Sequence, residues 1–163
     1  MNELANVNNA IAIDGADFIG NLTSRTTMFC SMKAETAEQK AAFFNAMNNP
    51  EKRLGDCINS IINAKDLFVE VVTLTKKDST GADVLDDDGN PITNDCPRIV
   101  VIDENDVGYG CVSMGVYSAF RKIIAVYGTP TWESPIPLEV KQITKGQRKM
   151  LTLNVAPPSK TKK

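Results

Sequence analysis

Histidine is absent from this chain of 163 residues. Serine and cysteine nucleophiles, catalytic zinc sites and proton relays at neutral pH most often rely on an imidazole, so the commonest hydrolytic chemistries are set aside. No apolar run approaches the roughly 20 residues needed to cross a bilayer. The opening MNELANVNNA has neither a basic region nor an apolar stretch, so the chain reads as cytosolic. Cys30, Cys57, Cys96 and Cys111 are far apart and form no CxxC pair. That spacing argues against a zinc knuckle or a dithiol redox site and for reduced, mostly buried thiols. Ten glycines and eight prolines are ordinary usage, and 42% hydrophobic residues at this length suit one compact domain.

A large excess of positive charge is also missing: the net charge is only −2. Its distribution is uneven. No acidic residue follows Glu139, whereas Lys141, Lys145, Arg148, Lys149, Lys160, Lys162 and Lys163 all do. Acids crowd earlier, at Asp83, Asp86, Asp87, Asp88 and Asp95, with Asp103, Glu104 and Asp106 just beyond. Such asymmetry lets a mildly acidic protein offer a locally basic face to a polyanion. A solvated tail is the plainer account of Lys160 to Lys163.

What is present reads as follows. Residues 1–24 are asparagine-rich and form an arm; RTTMFCSM, residues 25–32, has the composition of a strand. Thr36 and Gln39 have capping-box spacing and open a helix that Asn49-Pro50 closes. Pro50 suits the first turn of a second helix, in which Leu54, Cys57, Ile58, Ile61 and Ile62 fall at helical spacing. Residues 36–63 are therefore expected to be a helical hairpin. LFVEVVTLT, residues 67–75, is a β-branched strand, followed by a polar excursion with its turn at Asp88-Gly89-Asn90. Strands are expected at 98–103 and 107–112, then a helix over 114–127 capped by Ser113 and stopped by Gly128. A last pair, 136–143 and 150–155, turns about Lys145-Gly146.

Residues 67–155 thus give strand, strand, strand, helix, strand, strand, the order of a five-stranded OB-fold barrel. The expected class is mainly β within α+β: one OB-like domain over 1–156, the helical hairpin packed on the barrel, and a basic tail over 157–163. Such a barrel offers a concave face where phosphates meet lysine and arginine and bases stack on rings, with no catalytic group required.

Three stretches carry a family resemblance: IDENDVGYGCVSMGVYSAF (102–120), YGTPTWESPI (127–136) and ITKGQRKMLTL (143–153). Together, residues 97–155 resemble the C-terminal half of single-stranded DNA-binding proteins encoded by phages and conjugative plasmids of Gram-positive bacteria. The resemblance implies an OB-fold that coats single-stranded DNA in a bacterial host, without marked sequence preference, in replication, recombination or transfer. Self-association into dimers or along the strand is left open. Cellular bacterial counterparts end in an acidic tip that recruits partners; this chain ends SKTKK, so recruitment of that kind is not expected.

Candidate DNA contacts follow from charge and aromaticity. Lys145, Arg148 and Lys149 cluster about a hairpin tip, joined by Lys141 on the preceding strand, and would release counterions from phosphates; solubility alone also explains lysines there. Trp132 reads as a core plug or, if exposed, a stacking platform. Tyr109 alternates with Val107 and Cys111 and is open to the same two uses. Arg25 and Phe29 on the first strand, and Lys76, Lys77 and Arg98 bordering the polar excursion, complete the set. No catalytic residue, metal or cofactor is expected: DDDGN (86–90) lacks the EF-hand spacing, Ser113 breaks a dinucleotide fingerprint, and no Walker sequence occurs. Two other classes stand beside this reading: an adaptor docking through helices 36–63, or a carboxylate-metal nuclease.

Overall fold

The computed structural model describes residues 28–157. The arm 1–24, Arg25 and the lysines of the tail lie outside the described residues. β1 (Met28–Cys30) leads to α1 (Ala37–Asn48), β2 (Lys52–Arg53) and a 3₁₀ turn (Leu54–Cys57). Then follow β3 (Ile61–Thr75), β4 (Thr93–Asp103), β5 (Gly108–Val112), α2 (Met114–Tyr127), β6 (Ile136–Lys145) and β7 (Arg148–Val155). All strands belong to one curled sheet of order β2-β5-β4-β3-β6-β7, with β1 paired to β3. β3 makes the curl, because it pairs with β6 over Ile61 to Ala64 and with β4 from Ala64 to Thr75, with a break of register between Ala64 and Asp66.

The inner face holds the core. Leu67, Val69 and Val71 of β3, Ile99 and Val101 of β4, and Tyr109 and Cys111 of β5 alternate inward. Against them lies α2, whose Val116, Ala119, Phe120, Ile123 and Ile124 make an i, i+3, i+4, i+7, i+8 stripe. Ser113 caps this helix through Val116 N–H at 3.2 Å, and Gly128 ends it at φ 82°. The linker after α2 is pinned by the buried Asp66 carboxylate, which accepts from Ser31 Oγ (2.9 Å) and Thr131 Oγ1 (2.5 Å). The outer face carries α1. Its expected capping box is formed by Thr36 and Gln39, but it has no fully buried residue and touches the sheet mainly through Ala46 and Met47 over Phe68, Val100 and Ile102.

Two expectations are corrected. Residues 36–63 are not a helical hairpin: only the first helix forms, and the rest is β2, the 3₁₀ turn and the start of β3. Leu54, Cys57, Ile58 and Ile62 do reach the core, but Asn59 takes a left-handed conformation (φ 69°) and Ile61 points to solvent, as alternation along a strand requires. Nor is the sheet a closed five-stranded barrel. Among the described residues it has seven strands, and β5 and β7 are not paired with each other. The first turn of α2 is wedged at that seam. Ser113 Oγ donates to Leu151 O (3.3 Å), and a Cβ placed on Gly115 would stand 2.2 Å from the same oxygen.

Candidate nucleic-acid interface

The open seam leaves a cleft of about 600 Å³, reached from the outer face, to which Arg98, Gly110 and Val112 belong, and closed below by Cys111 and Leu151, which pack against the inner core. Its floor is Gly110, Cys111 and Val112 of β5 and Leu151 of β7; its rim is Lys52 and Arg53 of β2, with Arg98 of β4. β2 exists because Pro50 ends the helix and lies on Gly110, where a Cβ would come within 2.6 Å of its Cγ. The chain then runs parallel to β5, pairing Lys52 with Tyr109 and Arg53 with Gly110. Lys52 Nζ sits 5.6 Å from the Tyr109 ring centroid, a cation–π contact at the edge of the core. Lys52 and Arg53 make no ion pair among the described residues; Arg98 gives Nη1 to Glu70 Oε1 at 3.2 Å. Asp56 is the one acid lining the cleft. Burial pushes the Cys111 thiol up to about 12, so the floor is neutral and the thiol unreactive at ordinary pH.

The other expected contacts are scattered. Lys145, Arg148 and Lys149 surround the β6–β7 turn, exposed and without ion pairs among the described residues. Lys149 shares a face of β7 with Leu151 of the cleft, about 7 Å up the strand. Lys145 also lines a second groove, between α2 and the β6–β7 hairpin, of about 510 Å³. Lys141 is engaged with Glu139 (2.6 Å) on its own strand. Lys76 and Lys77 stand at the base of the 76–92 excursion, where Lys77 pairs with Asp83.

Of the three candidate rings, Trp132 and Tyr109 take the core alternative, and Phe29 is core as well. Phe29 and Trp132 are 3% and 6% exposed, and Trp132 Nε1 donates to Gly128 O at 3.0 Å. Tyr109 is buried too, its hydroxyl donating to Asp103 Oδ2 at 3.1 Å. Their apolar neighbours on the inner face fill the space a base would need. Lys52 and Arg53 are not in the candidate set; they fall at the start of the expected second helix, outside its apolar stripe. The signal was there: a cationic pair two residues after the helix-ending Asn49-Pro50 and two before Gly55.

A family model described as phage single-stranded DNA-binding protein, of the phi29 type, matches residues 22–156. The chain belongs to this family. Members of this family are single-stranded DNA-binding proteins of phages, and the chain binds unpaired DNA in a phage context. No curated protein and no solved structure matches the chain. None of the described helices is long and apolar enough to cross a membrane.

Proposed function

We propose that this protein coats phage single-stranded DNA inside the bacterial host without sequence preference, holding it on the outer face of an OB-type barrel opened at one seam. The strand and helix order β3-β4-β5-α2-β6-β7, with β3 between β4 and β6, matches that barrel apart from the missing β5–β7 ladder. The observation that carries the placement is the cleft itself, where Lys52, Arg53 and Arg98 ring a neutral floor of small and apolar residues. Cations of this kind hold phosphates by charge and leave base identity unread. Lys149 extends the track along β7, with Arg148 and Lys145 beside it at the β6–β7 turn, and self-association along the strand would follow from coating.

The test is an anisotropy titration with a labelled single strand of mixed sequence, repeated with duplex and at several salt concentrations. Tight binding to the single strand, weakened by salt, is expected. Each lost phosphate contact removes about 0.7 from the slope of log affinity against log salt on single strands, so Lys52→Ala/Arg53→Ala should flatten it by about 1.4. The tip variant Lys145→Ala/Arg148→Ala/Lys149→Ala should flatten it as well. Unchanged slopes in both would move the contact face elsewhere.

A further inference from the structure

One concavity of the outer face is not accounted for by phosphate binding. Between α1 and the sheet lies a groove of about 470 Å³ whose lining includes Phe44, Met47, Met28, Phe68, Glu70 and Arg98. Large apolar groups are left in water there: Phe44 is 60% and Met28 45% exposed. Arg98 lines this groove and also the cationic cleft. Strand register explains how. Met28 pairs with Glu70, Glu70 with Arg98, and Arg98 with Val112, so one row of side chains crosses four strands from groove to cleft. At about 4.8 Å per strand the row spans roughly 14 Å.

We infer that this groove receives an unpaired base of the bound strand, with Phe44 as its stacking platform and Arg98 holding the adjoining phosphate. The inference rests on the placement proposed above. A nucleotide has an anionic part and a flat apolar part, and this groove is lined by a guanidinium and an exposed ring together. Arg98 suits the junction because Glu70 engages one of its terminal nitrogens and orients the planar fork, leaving its other donors for a phosphate. Stacking on an aromatic face is open to every base, which agrees with coating that ignores sequence.

The experiment compares full-length wild type, Phe44→Ala, Phe44→Trp and Tyr127→Ala on oligothymidylate and on an abasic strand of equal length, across salt concentrations. Phe44 lies on the exposed side of α1, so its removal leaves the core intact. Phe44→Ala should bind oligothymidylate roughly 5- to 100-fold more weakly, with an unchanged salt slope, and bind the abasic strand as wild type does. Phe44→Trp should restore affinity, and its emission should be quenched by oligothymidylate; the sequence has one other tryptophan, the buried Trp132. Wild-type affinity for Phe44→Ala, or an equal loss on both strands, would overturn the inference. So would a loss confined to Tyr127→Ala, whose ring lines the α2 groove, or a changed sedimentation coefficient for Phe44→Ala, which would seat a second copy there. A flattened salt slope in Lys52→Ala/Arg53→Ala alongside normal binding by Phe44→Ala would leave the DNA placement standing and remove the base site alone.

Discussion

The two faces of the sheet are built from the same strands and treated in opposite ways. Inside, α2 fills the curl with a continuous apolar stripe, and Phe120 is fully buried. Outside, α1 covers part of the same strands with no fully buried residue of its own and leaves two concavities, one ringed by cations and one by exposed apolar groups. A helix that buries its stripe contributes to the fold. A helix that covers a face incompletely leaves surface for a ligand. On this account the inner face sets stability and the outer face sets affinity, and each can be changed without the other.

The largest expected effect is on the inner face. Phe120→Ala removes a fully enclosed ring and should cost about 3–5 kcal/mol in urea denaturation. Gly115→Ala comes next: a methyl meets the Leu151 carbonyl oxygen across the seam, which should lower stability by about 1–3 kcal/mol as α2 is forced off β7. Tyr109→Phe is smaller, about 1 kcal/mol for the lost bond to Asp103. This variant also tests a pH dependence. Burial first, then the hydrogen bond to Asp103 and its charge, push the Tyr109 phenol up from 10 to about 12. The fold holds that proton more tightly than the unfolded chain does. Its contribution is therefore complete below about pH 10 and is lost as pH rises to about 12. The difference in stability between wild type and Tyr109→Phe should shrink over that window. Smallest for stability is Lys52→Ala/Arg53→Ala, within about 0.5 kcal/mol, since both side chains are exposed, although the pair is expected to matter most for binding. Outer-face variants that unfold the protein, or an inner-face variant that spares stability while abolishing binding, would break the division.

The parts legible in the sequence are those fixed by local chemistry. The Thr36/Gln39 box, the Ser113 cap and the Gly128 stop each marked a helix end that the structure contains. The order of elements from β3 to β7 was legible for the same reason, because β-branched runs alternate with turn residues. The stretch 50–63 was not. Leu54, Cys57 and Ile58 satisfy helical spacing, yet the same three positions suit one 3₁₀ turn and an exit into a strand, and only the alternation from Ile61 onward separates the two. Lys52 and Arg53 lie in that stretch. For Tyr109 and Trp132 the sequence offered burial beside stacking without deciding between them, since alternation tells which residues share a face and not which face is packed. The seam between β5 and β7 depends on where the first turn of α2 lodges, a tertiary contact that no local pattern encodes.

The placement of the DNA on the outer face is tested most directly by amide hydrogen exchange with and without a saturating single strand. Slowed exchange is expected in residues 49–56, on β5 and on β7 from Arg148 to Leu151, with the amides of α2 from Phe120 to Tyr127 unchanged. Protection confined to α2 and the far ends of β6 and β7, with residues 49–56 unaffected, would contradict it.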